Sequence, residues 1–196
     1  MKTTISNNDW FFSDSHLGHT YALKLRNREK FFKDIKEHDS EITQNILSVL
    51  SPGNNLYCLG DFSFKKDVAF FKYFFDELLK KKVNFHWIEG NHDKINFNHK
   101  AIAFKGSIKD IIIQDQPITL CHYPMYVWNK SHRGAWQLFG HIHKNDFTDN
   151  IFPYENLGKQ LNVNIEFNNF MPYSFQQIKE IMNKKPKNFD ILKKNF

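Results

Sequence analysis

The sequence predicts an α/β protein: a sandwich with mixed β-sheets, built as one domain over residues 1–196. Three observations lead there. In the first half, short apolar runs alternate with segments of helical periodicity, the order expected of right-handed βαβ crossovers. In the second half, short apolar runs follow one another across turns, as strands of hairpins do. No internal repeat or linker composition divides the chain, and its length suits a single domain with a sizeable core.

Trp10-Phe11-Phe12 reads as the end of a first strand. Residues 21 to 39 are polar and read as loop and short helix. From about Lys36 to Leu50, Ile42, Ile46, Leu47 and Leu50 recur at helical spacing, and Ser51-Pro52-Gly53-Asn54 stops the helix. Leu56 to Leu59 is a short strand. Val68, Phe71, Phe74, Phe75, Leu78 and Leu79 mark an amphipathic helix from about Asp67 to Lys82. Val83 to Ile88 is a strand that reaches a turn at Gly90, where glycine admits backbone angles other residues resist. Further strands are expected at Ile111–Ile113, Ile118–Cys121, Trp136–Phe139 and Leu161–Phe167. Ser174 with Gln177 fits a capping box for a last helix through Met182, and residues 183–196 read as a frayed basic tail.

Composition narrows the class. Phenylalanine supplies 21 residues, so the core should be strongly aromatic. The net charge of +6 permits an anionic partner without demanding one, because the lysines are spread along the chain. Cys58 and Cys121 each sit in an apolar run and read as buried free thiols in a reducing compartment. Asn7, Asn8 and Asp9 are unlike a signal peptide, and no stretch approaches the ~18 apolar residues of a membrane span. The expectation is a soluble, cytoplasmic protein with no membrane partner and an oligomeric state the sequence leaves open.

Five strand ends carry polar residues suited to metal binding: Asp14 with His16, Asp61, Asn91 with His92 and Asp93, His122, and His141 with His143. On extended backbone, Asp14 and His16 would point the same way and converge on one ion. Five of the ten histidines fall in these clusters, which argues for one shared site on one rim of the sheets. Mixed imidazole, carboxylate and amide ligands suit Mn, Fe, Zn, Co or Ni better than calcium. The ligands are too numerous for one tetrahedral ion. They suit two divalent ions sharing a bridging carboxylate, an arrangement that can hold a hydroxide nucleophile and neutralise phosphate oxygens.

The blocks Asp14-x-His16, Gly60-Asp61, Gly90-Asn91-His92-Asp93, His122 and Gly140-His141-x-His143 resemble the five-block signature of calcineurin-like metallophosphoesterases. All five stand in the family's order, across about two-thirds of the chain. The flanking text, Phe12 to His19 and Leu59 to Phe64, looks like a compact bacterial and phage branch of that family. The resemblance implies that Asp14, His16 and His143 hold a first metal, that Asn91, His122 and His141 hold a second, and that Asp61 bridges them. It implies that His92 acts beside the phosphate as general acid or charge stabiliser, oriented by Asp93. It also implies the family's two-sheet α/β sandwich flanked by helices, and manganese as the foremost metal.

Outside the signature, His19 shares a loop with His16 and could reach the substrate. His132 and Arg133 lie between two ligand blocks and could contact a phosphate or base. Trp128 could stack on a nucleobase or pack within its loop. The function expected is dinuclear-metal-dependent hydrolysis of a phosphodiester or phosphomonoester, of a nucleotide or related small phosphoester. A metal-dependent nuclease on DNA or RNA is the second enzymatic reading. A non-catalytic module that binds phosphorylated ligands is the reading from another class.

Overall fold

A computed structural model describes residues 9–64, 68–94, 96–143 and 158–188. In chain order the elements are strand β1 (Asp9–Phe12), helices α1 (Thr20–Leu25) and α2 (Ile35–Ser48), strand β2 (Asn55–Leu59), helix α3 (Val68–Lys80) and strand β3 (Asn84–Ile88). There follow β4 (Ile102–Gly106), β5 (Ile108–Ile113), β6 (Gln116–Cys121), β7 (Trp136–Phe139), β8 (Gln160–Asn162), β9 (Tyr173–Ser174) and helix α4 (Phe175–Asn183).

The strands form two mixed sheets, ordered β4-β3-β2-β1-β9 and β5-β6-β7-β8. In the first, β1 to β4 run parallel and β9 is antiparallel. In the second, β6, β7 and β8 run parallel and β5 is antiparallel. Alternation along the first sheet divides its side chains between two cores. Phe12, Leu56, Cys58, Phe85 and Trp87 pack with Ile42 and Ile46 of α2 and with Phe71, Phe74, Phe75 and Leu78 of α3. Phe11, Tyr57, Leu59 and Ile88 face the other way. They meet Ile118, Leu120, Trp136 and Leu138 of the second sheet and Ile178 and Met182 of α4. A strand buried on both faces reads as a nearly continuous apolar run, which is why Leu56–Leu59 of β2 is so apolar. The first core is aromatic throughout: Phe62 lies 5.1–6.3 Å, centroid to centroid, from Phe74, Phe75, Phe85 and Trp87.

Helices α2 and α4 begin at side-chain caps. The Asp34 carboxylate accepts from the N–H groups of Lys36 and Glu37, both at 2.9 Å, and caps α2. Ser174 and Gln177 form the expected reciprocal capping box on α4.

Four local expectations change. Residues 102–106 form a strand, β4, that is not among those expected from the sequence; it is the edge of its sheet and half exposed. The run Leu161–Phe167 is a strand only as far as Asn162. Asn164 then caps a 3-10 turn, Ile165–Asn168, by accepting from the Glu166 N–H at 3.0 Å. A side-chain acceptor of this kind competes with the strand ladder. The tail is anchored through residue 188: Asn188 is buried and accepts from the Lys159 N–H at 3.0 Å. Its remainder, and residue 67 at the expected start of α3, lie outside the described residues. Cys58 is buried and Cys121 only partly so; both are free thiols. No described helix is long and apolar enough to cross a membrane.

Candidate metal centre

Every candidate ligand follows the C-terminal end of a parallel strand, β1, β2 or β3 in one sheet and β6 or β7 in the other. Loops at that end of parallel strands commonly build sites, because the sheet fixes where each begins. The loop after β1 is laid against the loop after β2. Asp14 N donates to Gly60 O at 2.9 Å, and His16 N to Asp61 O at 2.9 Å.

The backbone there is not extended as expected. Asp14 and His16 adopt left-handed conformations, with φ of 58° and 50°. Asp61 and His141 do the same, at 53° and 69°. Such a conformation costs a non-glycine residue about 1–2 kcal/mol, so four of them need support from their surroundings. Asp14 and His16 still converge, because the chain curls twice rather than because it runs straight.

Two groups of ligand atoms result, each drawn together within 4.8 Å: Asp14, His16 and His143, and Asp61, His122 and His141. In the first, His16 Nε2 lies 3.3 Å from His143 Nε2, and the two rings' Nε2 atoms lie 3.9 and 3.7 Å from Asp14 Oδ1. Asp61 stands between the groups. Its Oδ2 is 3.5 Å from His122 Nε2 and 3.6 Å from His16 Nε2, so one oxygen reaches ligand nitrogens of both. Its Oδ1 accepts from the His92 N–H at 3.0 Å.

The histidines are set to offer Nε2. The Nδ1–H of His122 donates to Leu59 O at 2.7 Å. His143 Nδ1 lies 2.9 Å from Glu166 Oε1, and His16 Nδ1 3.3 Å from His19 Nδ1. A partner at Nδ1 fixes the tautomer and ring orientation, leaving the Nε2 lone pair for a cation. His122 Nε2 is buried with no hydrogen-bond partner, an arrangement that is costly unless something else takes it up.

The electrostatics point the same way. Burial raises Asp14 to about 6, against the pull of His143 and His122. Burial, with Arg28 nearby, holds His16 well below the usual histidine range and keeps it neutral. Burial would lower His122, but its contacts with Asp61, Asp14 and the Leu59 carbonyl outweigh this and raise it to about 9. For Asp61 burial is likewise outweighed, by His122 and the His92 N–H, and the carboxyl stays low. The buried carboxylates of Asp14 and Asp61 draw positive charge, which the metal-free cluster meets in part through the raised His122, and the imidazole–carboxylate donor set fits divalent ions of the Mn-to-Zn series.

Three glycines make room for this packing. A Cβ on Gly140 would lie 2.6 Å from Asp14 Oδ2, and one on Gly60 would overlap the His122 ring. Gly90 is needed for space and not, as expected, for its backbone angle: its φ is not left-handed, and its Cβ would meet Asp61.

The remaining candidates divide. Side-chain exposure of His92 is 38%, and its Nε2 lies 4.0 Å from Asp61 Oδ2, at the open side of the cluster. His19 is also brought in, with its ring stacked at 4.1 Å on exposed Phe64 and 5.7 Å from His92. Asn91 is exposed, and its Oδ1 accepts from the Tyr123 hydroxyl at 3.4 Å. The Tyr123 ring packs at 4.8 Å against His141, so Asn91 joins the second group through it.

Asp93 does not serve His92. Its buried carboxylate accepts from the N–H groups of Asp61 (2.8 Å), Phe62 (2.9 Å) and Gly90 (2.9 Å) and from Trp87 Nε1 (3.1 Å). It pins the loops after β2 and β3 together. Trp128 is buried, and its Nε1 donates to Ala135 O at 3.0 Å, so its ring is not available to stack on a ligand. His132 and Arg133 are exposed on the 3-10 turn Ser131–Arg133, without a contact to the cluster among the described residues.

Arg28, Glu166, Phe64 and Tyr123 were not foreseen. Arg28 sits in a polar stretch with no distinguishing pattern, and Glu166 was masked by a strand-like alternation. A separate cleft of about 370 Å³ runs along β5 and β6, lined mainly by Ile111, Ile112, Pro117 and Ile118, away from the histidine cluster.

Fold and site together define an α/β protein of two mixed sheets with a buried histidine–carboxylate cluster at one rim. No protein-family model matches the chain. An uncharacterized protein of Methanocaldococcus jannaschii is 28% identical over 176 residues, covering 89% of this chain and 91% of that one. The gene 66 protein of Mycobacterium phage L5 is 32% identical over 89 residues, 44% of this chain and 40% of that one. The crystal structure of a protein of unknown function from Aquifex aeolicus has the same fold. Its TM-score is 0.68 at 24% identity, over 88% of this chain and 98% of that one.

Proposed function

We propose that this protein is a dinuclear-metal-dependent phosphoesterase with the two-sheet sandwich of calcineurin-like enzymes. Its substrates on this reading are phosphodiesters or phosphomonoesters of nucleotides or related small molecules. The observation that carries the reading is Asp61, whose Oδ2 lies 3.5 and 3.6 Å from Nε2 atoms of the two ligand groups. A carboxylate so placed could be shared by two ions, while its other oxygen holds the His92 N–H.

Asp14, His16 and His143 would hold one ion, and His122 and His141, with Asn91 beside them, the other. Two such ions, when bound, supply an activated water and neutralise phosphate oxygens. The chain supplies the rest. His92 has its backbone fixed by Asp61 Oδ1 and its ring half exposed, so Nε2 can give a proton to the leaving oxygen or stabilise its charge. His19 and Phe64 flank it on one side, and Tyr123 stands at the other edge, over His141. These rings line the approach to the cluster and can orient an aromatic or nucleoside leaving group.

The test is hydrolysis by Mn-loaded protein of bis-aryl phosphate, aryl phosphate, cyclic nucleotides, and single- and double-stranded nucleic acid. His92→Asn should lower turnover by about 10²–10⁴-fold while Mn content stays at the wild-type level. Metal-loaded protein that cleaves none of these, or an H92N variant as fast as wild type, would sink the reading.

A further inference from the structure

We propose that Arg28 and Glu166 form a buried ion pair that sets the cation affinity of the Asp14–His16–His143 pocket and leaves the Asp61–His122–His141 pocket unaffected. The inference rests on the metal-centre reading and adds to it two positioning residues.

Arg28 lies in the 3-10 turn between α1 and α2 and is 1% exposed. Its guanidinium is engaged on every side. Nε donates to Glu166 Oε1 at 2.8 Å, Nη2 to Asp14 O at 2.6 Å, and Nη1 to Ser15 O at 3.0 Å and His38 Nε2 at 2.9 Å. It therefore grips, from behind, the two carbonyls between left-handed Asp14 and left-handed His16. Those conformations persist only where the surroundings over-determine them, and Arg28 adds its two bonds to those the Asp14 and His16 N–H groups make to the Gly60 and Asp61 carbonyls.

The pair continues in both directions. Glu166 Oε1 also takes the Nδ1–H of His143 at 2.9 Å, which aims His143 Nε2 into the pocket. Because His38 Nε2 accepts from Arg28, its Nδ1–H donates to Asp39 Oδ1 at 2.9 Å. That oxygen also accepts from the Gly18 N–H at 2.9 Å, on the same loop as His16. The result is one path, Gly18–Asp39–His38–Arg28–Glu166–His143, that runs from the loop carrying His16 to His143 itself. Among the described residues, neither Asp61 nor His122 hydrogen-bonds to Arg28 or His38. The charge balance has the same asymmetry. A buried guanidinium behind a cation pocket opposes the cation unless a carboxylate offsets it, and Glu166 is that carboxylate.

The experiment is Mn titration of the full chain, followed by calorimetry and electron paramagnetic resonance, for wild type and Glu166→Gln. The amide keeps an oxygen for His143 Nδ1–H while it removes the charge and puts an N–H₂ in place of the second oxygen. Wild type should take up two ions and show a spin-coupled pair. The variant should bind one ion about 10–100-fold more weakly, with the other unchanged, and give a mononuclear signal. A wild-type chain that binds fewer than two ions overturns the metal-centre reading itself. Two ions bound by E166Q at wild-type affinity overturn the ion-pair inference alone. Should E166Q fail to fold, wild type decides. In Zn-loaded protein, nitrogen NMR should find His143 protonated at Nδ1, its proton exchanging about tenfold or more slower than that of half-exposed His92. Ligation through Nδ1, or exchange as fast as that of His92, overturns the proposal.

Discussion

Replacing Gly90 by alanine places a Cβ 2.3 Å from Asp61 Oδ1, 2.6 Å from Asp61 N and 3.0 Å from its Cγ. An ordinary contact for such atoms is about 3.5 Å, so Asp61 must retreat by about 1 Å. Gly90 has no left-handed φ, so the change carries no backbone penalty and the whole effect is spatial. Asp61 cannot yield cheaply: its N–H is held by Asp93 Oδ2 at 2.8 Å, and its Oδ1 by the His92 N–H at 3.0 Å. Overpacking of this kind costs about 1–3 kcal/mol of stability. A 1 Å misplacement of the residue that spans both ligand groups should cost on the order of 10²-fold in turnover. Gly53→Ala is the control. Gly53 has φ of 84° and nothing within 4 Å of a built Cβ, so it should lose only about 1 kcal/mol of stability and no activity. Urea denaturation of metal-free protein, Mn titration and bis-aryl phosphate hydrolysis measure the three effects. If G90A matches wild type in Mn affinity and turnover, the close-approach reasoning is refuted.

Three further outcomes follow from the same geometry. Asp93→Asn turns an amide N–H₂ toward N–H donors that a carboxylate now satisfies, and should cost about 3 kcal/mol by urea denaturation. An unchanged stability with a displaced acid limb of the rate profile would instead restore Asp93 as the partner of His92. Trp128→Phe keeps a buried ring but strands the Ala135 carbonyl, so it should cost about 1–2 kcal/mol and leave KM for nucleotide substrates unchanged. A raised KM would return Trp128 to the substrate site. His86 is stacked at 4.5 Å on Tyr57, and burial, with Lys109 nearby, lowers it to about 4. The unfolded ring takes up a proton below about 6.5 while the folded one stays neutral, so this stability is complete above pH 6.5 and is lost as pH falls toward 4. With partial exposure discounted, His86→Phe should flatten the pH–stability curve by on the order of 2 kcal/mol between those limits. Parallel curves for the two proteins would exclude the effect.

Much of this molecule is written in local pattern. The short apolar runs at β1, β2 and β3, the stripe Phe71–Phe74–Phe75–Leu78, and the Ser174–Gln177 box are properties of neighbours in the chain. Physical chemistry turns them into strands, a helix and a cap with little outside help. Asp14, His16, Asp61, His122, His141 and His143 were legible for a related reason. A polar residue directly after a buried strand has few structural uses, and six such residues on parallel strands have one rim on which to meet. What only the tertiary structure decided concerns groups brought together across long separations. The convergence of Asp14 and His16 rests on left-handed curls held by Arg28, not on an extended register. Asp93 gave its carboxylate to four N–H donors, because the loops after β2 and β3 left those donors buried and in need of an acceptor. Glu166, within the run Leu161–Phe167 expected as a strand, lies instead on the 3-10 turn that Asn164 caps, where it meets His143 and Arg28. No spacing in the sequence encodes a contact between residues 28, 143 and 166, because the hydrogen bonds that define it form only after both sheets have closed around the loops.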